Sequence, residues 1–155
     1  MTDVEAARSL GRVDRRTLEP ASDEVLACAI VRNEVGRIAP WLDHHRALGV
    51  DRFLVVDHGS TDGTLDALLA APDVHVWTSD LDFRTARFGA ALFEVLLTEH
   101  GRGHWTVVVD VDEHLVFPDC DERSLRDLGT ALDAEGARAY GAVLLDLYAD
   151  TPLAA

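Results

Sequence analysis

The chain has no apolar stretch approaching the roughly 18 residues of a membrane span, and it does not open with a signal-peptide pattern. No membrane span is therefore expected. It has only two cysteines, Cys28 and Cys120, too few for a disulfide framework, so the cytoplasm is the expected compartment. Cys28 lies in an apolar run and reads as a small core residue. Positive charge is scarce: 14 Lys and Arg stand against 28 Asp and Glu, for a net charge of −14. A surface that negative repels polyanions, which excludes charge-driven binding of nucleic acid but tolerates cations. Internal repeats, low-complexity segments and an evident interdomain linker are also missing. What is present is 155 residues, 48% of them hydrophobic, about one domain's worth and enough for a real core.

Residues Met1 to about Asp23 mix Arg, Asp, Glu and small residues without a sustained period, and read as a partly helical N-terminal extension, 1–23. Its Arg8, Arg12, Arg15 and Arg16 read as a solvated face. From Val25 the pattern changes. Val25 to Val31 is a buried-strand run that ends abruptly in Arg32-Asn33-Glu34, and a helix is expected from about Arg37 to Leu48, stopped by Gly49. Its paired His44 and His45 suggest metal only if a third ligand converges, and otherwise a packed or capping role. Phe53 to Val56 is a second strand, ending at Asp57 and a polar turn, His58 to Thr64, in which Ser60, Thr61 and Asp62 could cap the next helix. Gly59 and Gly63 would let the backbone approach a ligand. The turn has no Walker lysine and no G-x-G-x-x-G spacing, so it is not a standard phosphate loop.

Val74 to Trp77 is a third strand, and a long helix to about His100 is expected with Phe88, Leu92, Val95 and Leu96 on its apolar face. Ser124-x-x-Asp127 is a capping box for a helix reaching about Glu135, and Tyr140 to Tyr148 is a last strand candidate with Asp146 and Asp150 near its end. Strands alternating with helices predict an α/β architecture around a largely parallel sheet.

The most informative stretch is Trp105 to Pro118. The β-branched run Thr106 to Val109 reads as a strand buried on both faces, and it meets Asp110, Asp112 and Glu113 at once. If the chain stays extended, Asp110 and Asp112 point the same way. Paired carboxylates repel unless a cation sits between them, and a divalent ion held by hard oxygen ligands is the natural solution. The carboxyl ends of parallel strands are also where open α/β sheets bind ligands. An isolated Asp-x-Asp can simply end a strand in solvent; the length of the apolar run and the other motifs shift the balance.

Those motifs, taken in order, resemble family-2-like glycosyltransferases. They are Ile30-Val31-Arg32-Asn33-Glu34, Trp41-Leu42-Asp43-His44-His45 with Leu48-Gly49-Val50, Val55 to Thr64, Ala86-Arg87, and the Asp-x-Asp-Glu of Asp110 to Glu113. The similarity covers about Val25 to Leu153. It implies a GT-A (Rossmann-like) fold, a three-layer α/β/α sandwich with a largely parallel central sheet. Residues 24–155 would form the nucleotide-sugar-binding domain, truncated at its C-terminus.

The resemblance also implies a nucleotide-sugar donor, an unknown acceptor and a Mn²⁺ or Mg²⁺ ion. Carried over by position, Asp112 is the main metal ligand and Asp110 contacts ribose or metal. Arg32, Asp57 and Arg87 complete the nucleotide-sugar site. His58 stands where the family has a second acid, which leaves the base open, and Phe88 replaces a polar residue. No catalytic base is assigned: Asp146 and Asp150 come too early, and Glu113 is expected to support the metal site. Two alternatives are carried forward, a non-catalytic or truncated nucleotide-sugar-binding module and a phosphotransferase with Asp110 as nucleophile.

Overall fold

The computed structural model describes residues 3–145 apart from residue 83. Along the chain these form α1 (Asp3–Ser9), β1 (Gly11–Arg12), β2 (Leu26–Val31), α2 (Val35–Ala47), β3 (Arg52–Asp57), α3 (Thr64–Ala70), β4 (Val74–Thr78), α4 (Ala90–Glu99), β5 (Thr106–Val108) and α5 (Leu125–Ala134). The five strands make one sheet in the order β1-β4-β3-β2-β5, in which only β1 runs antiparallel. The α/β, mostly parallel architecture expected from the alternation of strands and helices is what forms. Among the described residues, no helix is long and apolar enough to cross a membrane.

The central strands are the most apolar. β2 and β3 pair in register from Leu26↔Arg52 to Val31↔Asp57. Because side chains alternate along a strand, their residues divide between two core clusters. Ala27, Ala29, Val31, Phe53 and Val55 pack with Ile38, Trp41 and Leu42 of α2 and Leu68 of α3. Leu26, Cys28, Leu54 and Val56 pack with Ala6 of α1 and Ala91, Leu92, Val95 and Leu96 of α4. Burial pushes the Cys28 thiol up to about 12, so it is an unreactive core group.

The N-terminal segment is more than an appendage. Asp14 anchors it: one carboxylate oxygen accepts from the Val76 amide (2.8 Å) and the other from the Arg16 amide (2.8 Å), while Arg12 bonds both. Burial by itself would raise the Asp14 carboxyl, but these bonds outweigh it and hold the group far below the usual range. Arg12 also lies over the Trp77 ring at 5.3 Å, and Arg16 donates to Val74 and Leu69 carbonyls. Of the four arginines read as a solvated face, these two are therefore structural.

Three local expectations are corrected. The run Thr106 to Val109 is not buried on both faces: β5 is three residues long, lies at the sheet's edge and pairs only with β2, so Val108 is 47% exposed. Phe88 does not belong to the apolar face of α4. It precedes the helix in a left-handed backbone conformation (φ 58°) and is 70% exposed. The strand candidate Tyr140 to Tyr148 is not a strand over residues 140–145, where Val143 and Leu145 are 85% and 77% exposed; its remainder, with Asp146 and Asp150, lies outside the described residues.

The capping box forms as read, with the Ser124 hydroxyl accepting from the Asp127 amide and the Asp127 carboxylate accepting from the Ser124 amide. Gly129 in the middle of α5 has a packing reason. A Cβ there would stand 2.6 Å from Trp105 Cδ1, and the Trp105 indole also donates to Asp133, so α5 is pressed against the start of β5.

Candidate functional site

The carboxyl ends of β2, β3 and β5 lie side by side, because β2 pairs with both of the others. Each strand there gives way to a polar turn, and together they shape an open cavity of about 370 Å³ lined by Ile30, Val31, Arg32, Glu34, His58, Asp110, Val111 and Asp112. That is within the range of small-ligand sites, at its lower end.

Asp110 and Asp112 share this cavity, though not by the route expected. The strand stops at Val108, and the chain turns instead of staying extended: the Glu113 amide donates to the Asp110 carbonyl (3.1 Å), and the Glu113 carboxylate accepts from the Asp110 amide (3.1 Å). Val111 points into the core, 4% exposed, leaving an acid exposed on either side of it. Partial burial, then Glu113 and Asp112, raise the Asp110 carboxyl above the ordinary range. Three carboxylates are thus crowded with no ion pair to any of them among the described residues, and their hard oxygens suit Mg²⁺ or Mn²⁺. Among the described residues, however, no three His, Cys, Asp or Glu side chains are arranged to hold a metal by themselves.

The turns after β2 and β3 are stitched to one another. Asn33, in a left-handed conformation (φ 58°), donates its amide to Ser60 Oγ and accepts from the Thr61 amide (2.8 Å). The Glu34 amide donates to Thr64 Oγ1 and the Val35 amide to Asp62 Oδ2. Ser60, Thr61 and Asp62 were expected to cap the helix that follows them, but its N-cap position is Gly63, without a side-chain cap bond. Ser60 instead serves the N-terminal end of α2, and Asp62 divides between Val35 and Thr64. Gly59 and Gly63 are needed for their positive φ of 75° and 95°.

Of the residues expected at a nucleotide, Arg32 lines the cavity and Asp57 lies next to it in sequence and structure, preceding His58. Asp57 is 2% exposed; Oδ1 accepts from the Ser60 amide, while Oδ2 is buried without a hydrogen-bond partner. An unpaired buried acceptor is costly, so a donor from a ligand or water fits there. Arg87 does not line the cavity; its guanidinium pairs with Glu94 of α4. Glu34 was not expected at the site, and His58 was noted only as standing where the resembled family has a second acid. His58 donates Nε2–H to the Leu81 carbonyl (2.5 Å), and Glu34 pairs with Arg37 (2.6 Å). The abrupt change from Val31 to Arg32-Asn33-Glu34 was the available signal for Glu34.

His44 and His45 have structural partners. His44 donates Nε2–H to the Leu115 carbonyl (2.8 Å) and stacks on His114 with ring centroids 4.5 Å apart, which ties α2 to the chain just after the acidic turn. His45 is fully buried and donates Nδ1–H to the Trp41 carbonyl (2.9 Å). Burial is the main influence on its imidazole, pushing it down to about 4; the Trp41 bond opposes this, and His44 and His114 add to it. Between its ordinary 6.5 and about 4, the unfolded chain holds a proton here that the folded chain refuses. Stability is therefore complete above pH 6.5 and falls as the pH drops toward 4, by about 3 kcal/mol from this group. Urea unfolding at pH 7 and pH 4.5 measures the loss, and equal midpoints would contradict it.

In comparisons with protein-family models, curated proteins and solved structures, nothing matches the chain.

Proposed function

We propose that the chain binds the nucleoside diphosphate portion of a nucleotide-sugar donor and is a family-2-like glycosyltransferase or its donor-binding part. The observation that carries this reading is the meeting of Arg32 from the β2 turn with Asp110 and Asp112 from the β5 turn in one cavity. Asp110 and Asp112 would hold Mn²⁺ or Mg²⁺, with phosphate oxygens completing the coordination; such ions are commonly bound by one or two carboxylates plus substrate phosphates. When bound, the ion supplies positive charge against the charge that develops on a departing diphosphate. Arg32 adds a fixed cation on the same side. The unpartnered Asp57 Oδ2 is suited to accept from an N–H of the base. The GT-A arrangement of helices on both faces of the sheet is part of the proposal, supported by the two core clusters that divide β2 and β3 between them.

A second reading has an observation in its favour. Of the acids that line the cavity, Glu34 is paired with Arg37, and the neighbouring Glu113 accepts from the Asp110 amide, so beyond Asp110 and Asp112 the described lining residues offer no unpaired carboxylate as a base. This favours a donor-binding module without turnover. Incubation with UDP- and GDP-sugars and Mn²⁺ separates the two: release of nucleoside diphosphate supports the enzyme, whereas donor binding without release supports the module. Absence of both binding and release contradicts either form.

A further inference from the structure

Arg37 occupies a position that helix electrostatics disfavour. It stands in the first turn of α2, which contains no acidic residue, although a cation there meets the positive end of the helix dipole. Three of the backbone amides that would otherwise draw an anion to this end are already used. The amides of Asn33, Glu34 and Val35 donate to Ser60, Thr64 and Asp62. Anion binding on this rim therefore draws largely on side chains. The chain contains no lysine, so every fixed side-chain cation is an arginine.

Arg32 lines the cavity. Arg37 does not itself line the cavity but is bonded at 2.6 Å to Glu34, a lining residue, and its side chain remains 60% exposed. Glu34 first, and Asp112 after it, favour the charged form of Arg37, so the field of the acidic turn reaches this side chain. Arg87 is engaged with Glu94 outside the cavity.

We infer that Arg37, together with Arg32, grips the diphosphate of a nucleotide bound in the cavity, exchanging Glu34 for phosphate oxygens. This rests on the donor-binding reading of the same site. A guanidinium suits the task, because its planar fork can give two parallel bonds to phosphate. It also moves the second basic contact from Arg87 to the first turn of α2.

The test is calorimetric titration of wild type, Arg37→Gln, Arg37→Lys and Arg87→Gln with UDP and GDP in the presence of Mn²⁺, and with Mn²⁺ alone. Arg37→Gln should fold, since an exposed ion pair three residues apart on a helix contributes little to stability. It is expected to weaken diphosphate binding by about tenfold and to bind Mn²⁺ alone at least as tightly as wild type, because a positive charge near Asp112 is gone. Arg37→Lys is expected to recover part of the affinity and Arg87→Gln to keep it. Wild-type affinity in Arg37→Gln would overturn the inference and leave the site intact. Failure of the wild type to bind any nucleoside diphosphate would overturn the donor-binding reading and this inference with it.

Discussion

Phe53→Ala is expected to destabilise the fold by about 3–5 kcal/mol, the range for removing a fully buried aromatic ring. Phe53 is 0% exposed at the start of β3. The Trp41 ring meets it edge-on at 5.2 Å, and the Arg46 guanidinium lies 5.7 Å from its centroid. Arg46 cannot readily follow a shrinking side chain, because Asp73 holds it through two bonds of 2.7 Å. Collapse of the cavity is thereby limited, which favours the upper part of the range. Total stabilities are typically about 5–15 kcal/mol, so the variant should melt far below wild type. A thermal or urea midpoint shifted by less than 1 kcal/mol equivalent would show that this part of the core is not packed as described.

Asp112→Asn is expected to remove the metal-dependent part of nucleoside diphosphate affinity, by about 100-fold or more, since even outer-shell partners of a metal site are worth about 10–100-fold. The substitution keeps the side chain's shape and lies at an exposed position, so folding should be unaffected. It would take away one of the two carboxylates proposed to hold the ion and leave Asp110. It also removes one of the like charges that raise the Asp110 carboxyl, so Asp110 should titrate closer to the ordinary carboxylate range. Calorimetry with and without Mn²⁺ reads the first effect, and carboxyl NMR titration reads the second. Unchanged Mn²⁺-dependent affinity would remove Asp112 from the metal site.

The central strands were legible because Val25 to Val31 and Phe53 to Val56 carry almost no polar atoms, and both are buried where expected. The same logic overreached at Thr106 to Val109. Composition describes which side chains tolerate burial, but whether a neighbour covers them is decided by strand order, and β5 is at an edge. Asp110 and Asp112 do reach one cavity, but through a turn closed by Glu113, not through strand alternation. The turn residues Ser60 and Asp62 were recognised as cap formers. Which helix they serve depends on the adjacency of β2 and β3, which local sequence does not contain. Arg12, Asp14 and Arg16 lie in a segment with no period, so only their long-range bonds to β4 reveal their role. Arg37 was hidden for a different reason: its site lies in the field of Asp112, 75 positions further along the chain.

The most direct test is paramagnetic broadening of the amide NMR spectrum by substoichiometric Mn²⁺ with UDP or GDP present. Signals of Arg32, Glu34, His58 and Asp110 to Glu113 are expected to vanish together, while those of β1 and the far end of α5 persist. Broadening confined to scattered surface acids, or reaching the acidic turn without the turns after β2 and β3, would contradict a single diphosphate pocket.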